Sequence, residues 1–188
     1  MPTTVEPSTF RMVDFDAGEI AALTDELARK VGLDESVEIH IEVDETTPLG
    51  RTDLVSVDPV HIRAESGSFE DPKKIRRFSP ETATDVLGRY LLRAADRRQA
   101  TFGDAPPDED LTVPQRTAWE VYAVGRLARM GYAVRRQRWL YAFRNRHGFT
   151  DDADGAFEQL WGGDDLGWTD IDRLSETSAA TNPGPLNR

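Results

Sequence analysis

Apolar and polar positions alternate most cleanly at Val37, Ile39, Ile41 and Val43, with Glu38, His40 and Glu42 between them. A period of two puts the first set on one side of a strand and the second on the other. The polar stretch 44–51 reads as a turn, and two short apolar runs follow, 54–57 and 60–64, separated by Asp58 and Pro59. Together these segments predict a small, mainly antiparallel sheet with one solvated face.

Elsewhere the period is helical. Ile20, Leu23, Leu27 and Val31 recur at helix spacing behind Asp16 and Glu19, which have capping-box spacing, and ahead of Gly32, a C-cap residue. Ser79 and Pro80 supply an N-cap and a first-turn proline for a helix to about Arg98. Its apolar face carries Ala83, Val86, Leu87, Tyr90, Leu91, Ala94 and Ala95, the strongest periodic signal in the chain. Residues 66–78 read as a loop and 102–110 as an exposed connection. Thr112 and Gln115 form another capping box, and a helix anchored by Trp119, Tyr122 and Leu127 runs from there to Met130. Short helices are expected at 153–161 and 170–175.

Segment 134–147 breaks the pattern. It carries Arg135, Arg136, Arg138, Arg144 and Arg146 with no acid, interleaved with Trp139, Tyr141 and Phe143. The next stretch, 148–176, reverses sign, with nine acids against Arg173 alone. Two readings stand side by side. Arginines and rings could meet nucleic acid or an acidic protein, or the acidic stretch could fold back over the arginines while the rings enter the core. Near-neutrality of the two segments taken together favours the second.

Composition narrows the picture further. The chain has 188 residues, 38% of them hydrophobic and 30% charged, and its net charge is −11 at pH 7. That balance argues against wholesale nucleic-acid binding, which needs a basic domain. No apolar run is long enough for a membrane helix, and no partnership with a membrane is expected. Cysteine is absent, so disulfides and thiolate metal sites are excluded. Residues 1–12 have neither the basic start nor the apolar run of a leader, which makes the cytoplasm the expected location. Of the 23 basic residues only Lys30, Lys73 and Lys74 are lysine.

Candidate chemistry is thin. Neither a nucleophile elbow nor a phosphate-binding glycine loop occurs, so no catalytic residue and no cofactor are assigned. A calcium loop over 150–161 fails because Thr150 and Trp161 stand where ligands are required. His40 and His61 lie on strands that could pair, with Glu42 on the face of His40, the ingredients of a metal-dependent hydrolase; the plainer reading is two surface histidines, and no metal site is assigned. His147 is read as a cation at a helix C-terminus. Arg89, Arg93 and Arg97 recur every four residues and would line one helix face. They could bind an anion or acidic partner, or be neutralised locally by Asp85, Asp96 and acidic loops.

Two family resemblances are visible. The stretch 120–136, with Leu127, Gly131, Tyr132 and Val134, resembles the helix-to-strand entry of restriction-like nucleases. Their magnesium-binding acid, glutamate and lysine have no counterpart between Gly131 and Thr150. The order helix, strands, edge strand, loop, long helix over residues 17–130 resembles the minimal zincin metallopeptidases, whose long helix carries His-Glu-x-x-His. After Val86, Leu87 and Gly88, the three functional positions fall on Arg89, Tyr90 and Arg93. Arginine does not ligate zinc, so the resemblance implies a degenerate, catalytically dead zincin-like fold.

The sequence therefore predicts an α+β fold with a small, mainly antiparallel sheet packed against several helices and a helical C-terminal half. Residues 1–12 are expected to be flexible, 13–176 to form a single domain, and 177–188 a disordered tail. The expected role is a non-catalytic interaction module whose contacts come from Arg89, Arg93 and Arg97 or from Arg135, Arg136 and Arg138. Its partner would be an acidic protein or a second copy, with nucleic acid as the alternative.

Overall fold

Asp16 starts the first helix as its position suggests: its carboxylate accepts the Glu19 amide at 2.8 Å, and α1 (Ala17–Lys30) follows with Ile20, Thr24, Leu27 and Ala28 buried. The computed structural model describes residues 3–180, with the side chains of residues 179 and 180 left aside. By internal contacts the chain divides into two compact units, Met1–Ala95 and Asp96–Arg188. The α+β class and the helical C-terminal half are both observed.

In the first unit the alternating segment becomes β2 (Ile39–Asp44), followed by β3 (Thr52–Val57) and β4 (Val60–Glu65). Preceding them all is β1 (Thr3–Glu6), so part of the stretch expected to be flexible is a sheet strand. Its apolar content is Val5 alone, too little to register as a pattern. Its stability is non-local: Thr3 to Glu6 pair in parallel with Ile39 to Glu42, and α1 makes the return crossover. The sheet order is β1-β2-β4-β3. The antiparallel pairing expected from short turns holds for β3–β4, whereas β1–β2 and β2–β4 are parallel, which makes this sheet mixed.

The period-two reading gives the correct faces. Ile39, Ile41, Val43, Leu54, Val60, Ile62 and Ala64 are all buried on one side. The other side carries His40, Glu42, His61 and Arg63, each at least partly exposed. Within the expected loop 66–78 a second, two-stranded sheet forms from β5 (Glu70–Asp71) and β6 (Lys74–Phe78). Then α2 (Pro80–Asp96) starts, its first turn capped by Ser79, whose hydroxyl accepts the Thr82 amide at 3.1 Å. Ala83, Val86, Leu87, Tyr90, Leu91 and Ala94 are buried as expected, and so are Leu92 and Arg93. From α2 the Tyr90 hydroxyl donates to the Thr52 carbonyl of β3 at 2.5 Å.

The second unit is helical. The reciprocal Thr112–Gln115 capping box opens α3 (Val113–Arg129), and Thr117 to Gly125 plus Leu127 are buried along it, Glu120 excepted. Around it lie α4 (Arg136–His147), α5 (Asp151–Gly162) and α6 (Trp168–Ala180). Their shared core includes Trp119, Tyr122, Leu140, Phe143, Phe157, Leu160, Trp168 and Ile171. Thr150 caps α5 by accepting the Ala153 amide, and Asp151, Asp152 and Asp154 occupy its first turn, where the helix dipole favours acids. Helix α6 continues through residues 177–180, expected to be disordered; apolar spacing from Trp168 through Ile171 and Leu174 carries it onward. The rest of that expected tail, 181–188, lies outside the described residues.

One buried ion pair stands at the start of this unit. Asp96 accepts two bonds from the Arg126 guanidinium, at 2.7 and 2.6 Å, and a third from the Trp119 indole at 2.8 Å. The guanidinium lies 4.0 Å from the centre of the Tyr122 ring. A charge taken out of water needs such pairing, and here the Asp96 carboxylate is fully engaged while the Arg126 Nε is left without a hydrogen-bond partner.

Candidate functional site: the outward face of α4

Leu140, Phe143 and His147 bury one side of α4. Helical geometry therefore turns Arg138, Tyr141 and Asn145 outward, with Arg135 one turn earlier at the N-cap, and all four are exposed. Tyr141 is 62% exposed and Phe149, just past the helix, is 64% exposed. Their rings meet edge-on with centroids 6.0 Å apart. The Arg144 guanidinium lies 6.0 Å from the Phe149 ring centre.

The basic segment thus splits between the two alternatives read from its sequence. On one flank the acidic stretch does fold back. Arg144 makes two bonds to Asp154, one of them at 2.7 Å. The hydrogen bond from Arg144 holds the Asp154 carboxyl below its usual value, and Asp154 raises the Arg144 guanidinium in turn. Arg136 pairs with Glu158 and lies 5.2 Å from the Phe157 ring centre. The rings divide too: Phe143 is fully buried, Trp139 packs partly buried against the core, and Tyr141 faces out. Arg135 and Arg138 are exposed and take part in no ion pair found among the described residues. Phe149 was missed because it lies two residues beyond the segment's end; an aromatic directly after a helix-ending Gly148 was the available signal.

The α2 arginines are placed differently. Arg93 is only 1% exposed. Arg97 donates to Asp108 at 3.0 Å and to the Pro106 carbonyl at 2.7 Å, and lies 4.9 Å from the Trp119 ring centre. The Arg89 Nε donates to the Asp85 carbonyl one turn back. The stripe inferred from spacing does not present three free cations to solvent.

His40 and His61 do converge. They are register partners on β2 and β4, with ring centroids 4.7 Å apart. Thr4 Oγ1 lies 2.9 Å from His40 Nδ1, and Glu6 lies 3.8 Å from His40 Nε2. Glu42 lies 3.1 Å from His61 Nε2 and accepts from Arg63 at 3.0 Å. Burial pushes the Glu42 carboxyl up, but the bonds and charges of Arg63 and His61 outweigh it and hold the group below its usual value. Among the described residues no group of three histidines or acids is arranged to hold a metal ion.

His147 corrects its sequence reading. It ends α4, but it is fully buried and stacked on Phe143 at 3.9 Å, with Nε2 3.2 Å from the Pro114 carbonyl and Nδ1 2.6 Å from the Ser178 hydroxyl. Burial pushes its pKa down from 6.5 to about 4, so it is a neutral core residue near pH 7, not a cation at the helix end. Desolvation outweighs the backbone hydrogen bonds at Pro114 and Ser175, which favour the charged ring.

No protein-family model matches the chain, and no curated protein or solved structure shows significant similarity to it. Among the described residues, no helix is long and apolar enough to cross a membrane.

Proposed function

We propose that this protein is a non-catalytic interaction module that holds an acidic segment of a protein partner against the outward face of α4. The exposed Tyr141–Phe149 pair beside Arg135 and Arg138 carries the reading. Two large rings left in water together, rimmed by cations, are the composition of an interface anchor. Asp151 and Asp152 stand exposed just beyond Phe149, and the chain as a whole is strongly acidic. Those charges repel a phosphate backbone running along the face more than a short peptide that sets one or two carboxylates against Arg135 and Arg138.

The degenerate zincin-like reading over residues 17–130 is kept as part of this proposal. The first unit shares with that resemblance a helix, strands and a long helix in sequence, although its edge strand β3 precedes the inner β4 instead of following it. The aligned functional positions hold Arg89, Tyr90 and Arg93, whose observed contacts are structural. Purified protein is expected to carry no stoichiometric zinc and to melt alike with and without chelator.

Fluorescence anisotropy with a labelled glutamate- and leucine-containing peptide, set against a labelled single-stranded oligonucleotide, tests the module directly. The wild type should bind the peptide, and Arg135→Glu/Arg138→Glu and Tyr141→Ala/Phe149→Ala should each weaken it by about tenfold or more. Preferential oligonucleotide binding that falls steeply with salt would replace this reading with the nucleic-acid one. Binding to neither probe, or equal binding by wild type and variants, would sink it.

A further inference from the structure

Two of the three lysines in the chain, Lys73 and Lys74, fall side by side in the β5–β6 hairpin and are followed by Ile75, Arg76 and Arg77. Ile75 is 82% exposed, more than any other large hydrophobic residue described. Lys73 and Lys74 are exposed beside it. The hairpin is built to hold this arrangement. Its turn is fixed by Asp71, whose carboxylate accepts the Lys73 amide at 2.8 Å. Its register jumps from the Asp71–Lys74 pair to the Glu70–Phe78 pair, so residues 75–77 bulge out of the ladder. Arg76 sits in the bulge with φ of 66°, its amide held by the buried Glu70 at 2.9 Å and its guanidinium by the Met12 and Glu45 carbonyls at 3.2 Å.

Beside the hairpin lies a groove of about 380 Å³ with complementary chemistry. It is lined by Asp14, Phe15, Asp16, Glu19, Arg77 and Phe78. Phe15 and Phe78 meet edge-on at 5.6 Å and offer partly exposed apolar surface. One Asp16 oxygen is committed to capping α1, and Arg77 stands 3.8 Å from Asp14, whose side chain is 78% exposed. The lining carries three carboxylates against one guanidinium. A lysine-flanked aliphatic side chain therefore matches it in charge and in polarity.

We propose that the protein self-associates through its first unit, the hairpin tip of each copy entering this groove on a second copy. The tip does not fill its own groove, since Ile75 remains in water. Tip and groove are contiguous along β6, so a two-fold axis beside them satisfies both copies at once. In the pair, Ile75 covers the Phe15 and Phe78 rings, while Lys73 and Lys74 meet Asp14 and Glu19. A chain of net charge −11 repels its own copies at long range, and a local cationic element of this kind offsets that repulsion where two copies meet.

Sedimentation equilibrium on the full chain tests the pairing by charge exchange. Wild type should show a reversible monomer–dimer equilibrium. Lys73→Glu/Lys74→Glu and Asp14→Lys/Glu19→Lys should each weaken it by at least about tenfold, and mixing the two variants should restore a heterodimer. Circular dichroism and melting confirm that each variant is folded. Should the groove variant fail to fold, Ile75→Ser, at a side chain already in water, must by itself weaken the dimer. Arg135→Glu/Arg138→Glu must leave the dimer unchanged, which separates this association from any binding at α4. A wild type that stays monomeric at all concentrations, swaps without effect, or a mixture that does not re-associate would each overturn the proposal.

Discussion

The clearest residue-scale consequence belongs to His147. Its folded pKa of about 4 lies below the ordinary 6.5, so the native state prefers the neutral ring. Between those values the unfolded chain binds more protons than the folded one, and stability falls as pH drops through that window and levels off below it. The full loss approaches about 3 kcal/mol. Urea midpoints measured across the window should fall with acidity in the wild type and fall less in His147→Gln. An identical slope in both would place the titration elsewhere. The buried pair makes a sharper demand. Asp96→Ala leaves the Arg126 guanidinium buried without its carboxylate, and a loss of about 3–5 kcal/mol is expected in thermal or urea unfolding. A loss under about 1 kcal/mol would mean that water reaches Arg126 and replaces the partner.

At the scale of elements, close approach decides what a substitution does. A Cβ on Gly125 in α3 would lie 2.3 Å from the Trp161 carbonyl oxygen of α5, whereas one on Gly155 in α5 would meet nothing within 4 Å. Gly125→Ala should therefore destabilise by about 1–3 kcal/mol despite alanine's better helix propensity. Gly155→Ala should stabilise by about 0.5–1 kcal/mol, because only the propensity and the unfolded-chain entropy change. Opposite shifts in melting temperature check both at once. The capped helices were legible in the sequence because Asp16, Ser79 and Thr112 act within three residues of themselves. The strand β1 was not, since four residues with one valine gain their order from β2, more than thirty positions away. Helix α4 was obscured for another reason: Trp139, Leu140 and Phe143 mark its inner side, but the arginines beside them spread around the helix and blur the stripe. For the same cause the candidate site was half legible, its basic and aromatic character plain and its division between core and surface hidden.

At the scale of the whole molecule the acidic excess sets an expectation that pairwise contacts do not. Many ion pairs among the described residues join exposed or half-exposed side chains, such as Lys30–Glu26, Arg51–Asp53 and Arg173–Asp170, and such pairs add little stability each. A net charge of −11 meanwhile opposes compactness throughout. Salt weakens both effects, but it acts on the sum of many repulsions on one side and on a few weak attractions on the other. The Asp96–Arg126 pair, being buried, is screened little. Melting temperature should therefore rise as ionic strength goes from about 10 mM to about 150 mM, where the Debye length shrinks from about 30 Å to about 8 Å. Arg135→Glu/Arg138→Glu deepens the excess at a surface where neither arginine holds an ion pair, so it should steepen that rise while changing stability at high salt by only about 0.5 kcal/mol or less. A melting temperature that falls with salt would show instead that the ion pairs outweigh the repulsion. A large loss at high salt in the double variant would show that Arg135 and Arg138 support the fold, leaving Tyr141 and Phe149 as the exposed feature on which the binding proposal rests.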